Sequence, residues 1–307
     1  MSIFSKKYES AGVGIAKDAP KKEGIALFFD ILGRKLWQLM ELNLMYMMFF
    51  APLVFILPVI SLLKGAYPHS IIAAGILAVI FMVLIGPATA GMTKVIRCFV
   101  LGKHTFIWHD FWKGFKGNFK TASIVGFIDC IIMLSALSSI SFYPALAEHF
   151  NTKAMYIPMV ITLSLFLVIM IMNFYIFPMM VATTLKVKNL FKNSLALAFV
   201  AIKQNFITFG IIVATVVLMY VFRIYVLPLF MLLVPFFPAA FLCLVACFNC
   251  YPVIQKYVIN PYYASIGEVN PELVDETPDE TERIFEDMGG KEKPMEQRKK
   301  GKGKRIS

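Results

Sequence analysis

The stretch IIAAGILAVIFMVLIGPATAGMT, residues 71–93, decides the class of this chain. It contains no charged residue, and about 20 mostly apolar residues are enough for a helix to cross a bilayer. Lys94 and Arg97 follow it at once. Five comparable stretches lie at 44–63, 121–143, 155–183, 206–222 and 228–251. The last two are separated only by residues 223–227, which predicts a tight hairpin. The chain is 59% hydrophobic over 307 residues, too apolar for an ordinary soluble domain. The expected fold class is all-α: a polytopic membrane bundle of about six transmembrane helices, with amphipathic interfacial helices in its cytoplasmic linkers.

Orientation follows from where Lys and Arg sit in short linkers. Lys6, Lys7, Lys17, Lys21, Lys22, Arg34 and Lys35 precede the first span. Lys94, Arg97, Lys103, Lys113, Lys116 and Lys120 fill the second linker, and Lys186, Lys188, Lys192 and Lys203 the fourth. The other side holds only Lys64, Lys153 and Arg223. Both termini and both long linkers are therefore expected in the cytoplasm. The net charge of +11 is spread over this face, where anionic lipid attracts it, so membrane lipid rather than nucleic acid is the expected partner. The first apolar run begins far from Met1 and is long enough to span, so no cleavable signal peptide is expected.

Three regions follow. Residues 1–24 are polar and expected to be disordered. Residues 25–263 form the membrane domain, and residues 264–307 a charged cytoplasmic tail. Within the domain, residues 25–43 are expected to be an interfacial helix. Ile25, Phe28, Phe29, Leu32, Leu36 and Leu39 recur at helical spacing, and Trp37 suits the headgroup region. In the tail, Thr277-Pro278-Asp279-Glu280 resembles a capping box with proline at the first helical position. It predicts a short helix near 278–288 that presents Ile284, Phe285 and Met288. That helix is either solvated or docks on the basic linkers or on a partner.

The two long cytoplasmic linkers echo each other. Each starts after a late proline, Pro87 or Pro178, and enters the next span through Lys-x-Asn-Phe-x-Thr, at 116–121 and 203–208. Trp108, Phe111, Trp112, Phe115 and Phe119 fall on one helical face, with Lys113, Lys116 and Lys120 off it. Phe191, Leu195, Ala198, Phe199, Ile202 and Phe206 make the corresponding face of the second linker. Each linker is either an elbow helix on the inner leaflet or a docking platform for a cytoplasmic partner.

Candidate chemistry is sparse. Asp129 is the only carboxylate well inside a span, and intramembrane charge is costly enough to make it a functional candidate. Asn173 lies at a similar depth in the next span. The pair is expected either to hydrogen-bond for structural reasons or to form a proton or cation site. Glu41 and Asn43 are placed at the bilayer entry, where polar groups are tolerated. Gly86-Pro87-Ala88-Thr89-Ala90-Gly91 is a small-residue patch that lets another helix approach closely. It lacks the Lys-Ser/Thr ending of a phosphate loop and follows a helix, so nucleotide binding is not expected. Cys247 and Cys250 have CxxC spacing but fall near the cytoplasmic end of a span, which favours packing over redox or metal chemistry. His104, His109 and Asp110 lack a fourth ligand and read as surface groups. No nucleophile stands beside a base, so no enzymatic activity, metal or cofactor is expected.

Several of these residues carry a resemblance. Glu41-Leu42-Asn43-Leu44 with Leu57-Pro58, the run Gly86 to Met92, and Asp110-Phe111-Trp112-Lys113-Gly114-Phe115-Lys116 resemble the YesL family of bacterial integral membrane proteins. Lys192 to Ala198 fits that family's second cytoplasmic linker, and the likeness extends roughly over residues 28–257. The resemblance implies a multi-pass protein of the bacterial cell membrane associated with carbohydrate uptake, and it carries over no catalytic residue. Two functions follow as expectations. One is a non-enzymatic accessory or regulatory component that binds sugar-transporter or sensor subunits, with homo-oligomers also compatible. The other is a secondary transporter or permease for a small solute that uses Asp129 at mid-depth. A Glu-Ala-Ala loop of the importer-permease kind is not found.

Overall fold

The computed structural model describes residues 23–62 and 67–272. The predicted tail helix, with Ile284, Phe285 and Met288, and nearly all of the expected N-terminal disordered segment lie outside the described residues. Eleven α-helices occur among the described residues, and no strand. They are α1 (Gly24–Met47), α2 (Ala51–Leu62), α3 (Tyr67–Val100), α4 (Ile107–Gly117), α5 (Phe119–His149), α6 (Tyr156–Ala182), α7 (Val187–Val200), α8 (Ile202–Tyr225), α9 (Leu227–Phe236), α10 (Pro238–Ile254) and α11 (Asn260–Ile266). Six helical runs are long and apolar enough to cross a membrane: Gly24–Leu62, His69–Val100, Phe119–His149, Lys153–Ala182, Ile202–Tyr225 and Pro238–Ile266. The chain is an all-α polytopic membrane protein. Large apolar side chains such as Leu57, Leu137, Ile161 and Val217 point outward, as a surface solvated by lipid tails requires.

Two span boundaries differ from expectation. No break separates an interfacial helix at 25–43 from a span at 44–63. The helix runs through Met47, and a single 3-10 turn at Met48–Phe50 joins it to α2. Leu44 to Met47 contain no breaker. Pro52 has no N–H to offer the carbonyl of Met48, and the tightened turn absorbs that loss. The sixth span is also not one helix over 228–251. It is broken at Phe237 into α9 and α10, and a π-helical turn at Gln255–Ile259 then carries it on to α11. Gly267, at φ +73°, ends α11 in the left-handed conformation that glycine adopts without strain. The helical part therefore overruns the expected start of the tail.

The packing has two centres that share α10. One gathers Leu39, Leu42, Val95, Ile96, Phe111 and Leu244 from α1, α3, α4 and α10. The other gathers Tyr175, Ile176, Met179, Leu190, Tyr251 and Ile254 from α6, α7 and α10. Helix α1 runs antiparallel to α9–α10. Phe28 meets the Phe248 and Phe241 rings at 5.3 and 6.2 Å, while Asn43 reaches Val234 and Ala240 further along. At the basic end of α3, Arg97 Nε donates to Tyr251 Oη at 2.7 Å, and its guanidinium lies 5.2 Å from that ring.

The small-residue patch in α3 does what its composition predicts, and both neighbours belong to this chain. Gly86 crosses Gly126 of α5, and Gly91 crosses α4 at Phe111 and Gly114. A helix–linker–helix unit occurs twice, as α3–α4–α5 and α6–α7–α8. The asparagines of the two echoing stretches both tie back to the linker helix before them. Asn118 Nδ2 donates to Gly114 O at 3.1 Å, and Asn205 Nδ2 donates to Ala198 O at 2.8 Å.

Candidate functional site

The predicted aromatic face of α4 is divided by the fold. Phe111 and Phe115 point inward, buried with Ile107 and Gly114. Phe49, from the turn before α2, stacks on Phe115 at 5.2 Å and lies 6.0 Å from Phe111. They serve the chain's own core and leave no surface for a partner. Trp108 stays 61% exposed, Trp112 is half-buried, and Lys113 and Lys116 are exposed. These four, with His109 and Gly117, line an open concavity of about 900 Å³. The gradation follows from helix geometry: 111, 114 and 115 share the stripe facing α3, while 108, 112 and 116 lie beside it.

The second linker keeps its predicted apolar face outward. Helix α7 buries Leu190, Ser194 and Leu197, and Ala201 continues that stripe. Leu195, Phe199, Ile202 and Phe206 of the predicted apolar face are exposed, Phe199 at 65%, as an outward-facing linker helix requires. In a membrane protein the large apolar groups can face lipid, and small ones such as Ser194 and Ala201 allow close helix contact. Behind α7, Tyr175 Oη donates to Asn205 Oδ1 at 2.6 Å, so the linker is anchored through a buried polar pair.

The intramembrane candidates do come together. Asn173 of α6 hydrogen-bonds the carboxyl of Asp129 on α5. One oxygen of each, Asp129 Oδ1 and Asn173 Oδ1, remains buried without a partner. Asn173 also lines an open cavity of about 290 Å³ whose wall comes from α1, α3, α6, α8 and α10. Tyr46, Thr89, Thr93, Phe174, Phe177 and Cys243 contribute to its wall. Tyr46 Oη and Thr89 Oγ1 are 3.1 Å apart, and Thr93 Oγ1 lies 3.6 Å from Cys243 Sγ. Tyr46, Thr89, Thr93 and Cys243 carried no functional signal in the sequence, because each is a lone polar group whose neighbours in space come from other spans.

The break between α9 and α10 borders this cavity at Ala239. It is held by Asn43, which is fully buried. Pro238 cannot donate to the carbonyl of Val234, its partner in a continuous helix. Asn43 Nδ2 supplies that bond at 3.2 Å and a second to Pro235 O at 2.6 Å. Asn43 Oδ1 accepts from the backbone N–H of Ala240 at 2.9 Å. One amide side chain thus replaces the ladder that the prolines interrupt.

Cys98, Cys130, Cys243, Cys247 and Cys250 are all free thiols. Cys247 pairs with Cys243, one turn earlier, while Cys250 faces Thr208 at 3.8 Å. Among the described residues no three or more His, Cys, Asp or Glu side chains group as metal ligands. His104 packs on Phe106, and Asp110 Oδ2 accepts from the Phe106 N–H at 3.0 Å.

Residues 36–140 match a family model described as "Protein of unknown function, DUF624". The matched part is less than half of the chain. It contains Asn43, the small-residue patch, α4 and Asp129. Neither the curated proteins nor the solved structures give a match.

Proposed function

We propose that this chain is a non-enzymatic accessory or regulatory component of carbohydrate uptake in a bacterial cell membrane, with both termini in the cytoplasm. The observation that carries the reading is the anchoring of α4. Phe111, Phe115 and the Gly91–Gly114 crossing fix that helix to the bundle, while Trp108, Trp112, Lys113 and Lys116 stay outward. A rigid face of aromatic and basic groups suits partner recognition, because little side-chain and helix ordering remains to be lost on binding. The link to sugar uptake rests on the resemblance to the YesL family, to which the match over residues 36–140 lends support.

The test is crosslinking and affinity purification from native membranes. Stoichiometric recovery of sugar-transporter or sensor subunits is expected. The combined variant Trp108→Ser, Lys113→Glu, Lys116→Glu should lose that recovery at least tenfold, because hot-spot aromatic and charged groups each contribute about 1–2 kcal/mol or more. Its expression and melting should match the parent, since all three side chains are exposed. Unchanged recovery would end the platform reading.

A second reading, a permease for a small solute, is favoured by one observation. Polar groups at membrane depth surround a cavity beside a discontinuous helix, the arrangement that carriers use. On this reading Asp129→Asn, with near-identical shape, should reduce solute flux into liposomes by tenfold or more while the protein still folds. Flux that survives the change would remove the carrier reading's main residue.

A further inference from the structure

The hydroxyl groups on the wall of the intramembrane cavity have a one-sided hydrogen-bonding capacity. A hydroxyl has one proton and two lone pairs. Thr89 gives its proton to Ile85 O at 2.8 Å, so tyrosine is the donor in the Tyr46–Thr89 contact. Thr93 gives its proton to Thr89 O at 2.7 Å, so the thiol donates in the Thr93–Cys243 contact. Asn173 directs an amide N–H to Asp129, and its Oδ1 is left buried without a partner. The hydroxyl and thiol protons are spent inside the protein, and lone pairs remain.

The same place lacks a positive charge. Among the described residues, no lysine or arginine side chain forms an ion pair with Asp129, although an uncompensated carboxyl at this depth is costly. Tyr46, Phe174 and Phe177 contribute aromatic rings to the wall, and the faces of such rings attract cations. The volume of about 290 Å³ matches roughly ten water-sized groups, room for a small organic molecule. The helix break at Phe237 lies two residues before Ala239 of the wall, and irregular backbone at membrane depth is tolerated beside a cavity.

We propose that this cavity is a binding site for a small organic amine in its ammonium form. The ammonium N–H groups donate to Thr93 Oγ1 and Asn173 Oδ1. Asp129, hydrogen-bonded to Asn173, supplies the counter-charge. The apolar body of the ligand lies against Met92, Phe174 and Leu242. The site is separate from the α4 platform, and it stands whether the ligand is carried or only sensed.

The experiment uses the purified full chain in lipid nanodiscs with phenethylamine as the probe and 2-phenylethanol as its uncharged counterpart. Phenethylamine is expected to raise the melting temperature saturably by about 3–5 °C. It should also slow alkylation of Cys243, read by mass spectrometry, at least fivefold. 2-Phenylethanol should do neither. Asn173→Leu should abolish both effects. Should that variant fail to fold, Ala246→Leu decides instead, because its added volume enters the void. Equal shifts from the alcohol, effects that persist in the cavity-filled variant, or no shift and no protection by the amine would each overturn the proposal. Solute flux is a separate readout, so loss of the carrier reading leaves this result standing.

Discussion

Asn43→Leu is expected to be the most damaging single side-chain change in this protein. Leucine has no polar side-chain atoms and is larger than asparagine. The substitution strands the carbonyls of Val234 and Pro235 and the N–H of Ala240, all of which Asn43 satisfies. Each stranded buried group costs about 1–3 kcal/mol, and more in hydrocarbon. The sum is comparable with the whole stability of a typical domain, about 5–15 kcal/mol. Folded yield by fluorescence-detected size exclusion should collapse, whereas Leu44→Ala, on the exposed side of the same helix, should leave it nearly unchanged. The cause can be isolated. Pro238→Ala restores an N–H that can donate to Val234 O, so the double variant should lose clearly less than the sum of the two single ones. Additive losses would show that Asn43 acts through packing, not by repairing the break.

Asn43 also marks where sequence reasoning reaches its limit. Hydropathy and the alternation of basic linkers suffice to count six spans, because lipid imposes length and composition on each of them separately. The close crossing at Gly86–Gly91 was legible for the same local reason: consecutive small residues have few other uses in a span. The role of Asn43 was not legible, because it depends on two prolines about 190 positions away. The pair Pro235 and Pro238 within one apolar run did carry a signal. Such spacing leaves carbonyls that need an outside donor, and an amide in another span is the natural source.

The linker helices were legible only in part. Periodicity finds an apolar stripe, but in a membrane protein it does not say whether the stripe faces protein or lipid. For α4 the stripe split, with Phe111 and Phe115 inside and Trp108 outside. For α7 the large residues turned outward, and Leu190, Ser194 and Leu197 packed. Asp129 and Asn173 were legible as a pair because charge at depth is rare. The cavity beside them was not, since Tyr46, Thr89 and Cys243 become a site only when three helices meet.

The second large effect is expected at the α3–α5 crossing. A Cβ on Gly86 would sit 1.9 Å from the carbonyl oxygen of Ala122, and one on Gly126 would sit 2.6 Å from the Gly86 nitrogen. Both obstacles are backbone, so no side-chain rotation relieves them, and the helices must separate. Overpacking a well-packed site costs about 1–3 kcal/mol, and separation of two helices at their closest point belongs at or above the top of that range. Gly75→Ala provides the control. It lies in the same helix, and a Cβ there would meet nothing within 4 Å. Alanine's better helix propensity should therefore leave that variant neutral or stabilise it by about 0.5–1 kcal/mol. Thermal melting should place Gly86→Ala and Gly126→Ala below the parent and Gly75→Ala at or above it. The crossing also positions chemistry. Asp129 lies one turn beyond Gly126 on α5, and its partner Asn173 is on α6. Any Gly126→Ala protein that still folds should thus bind phenethylamine more weakly than the parent at matched temperature. Full-strength binding in that protein would mean that the amine site does not depend on the register of α5 against α3.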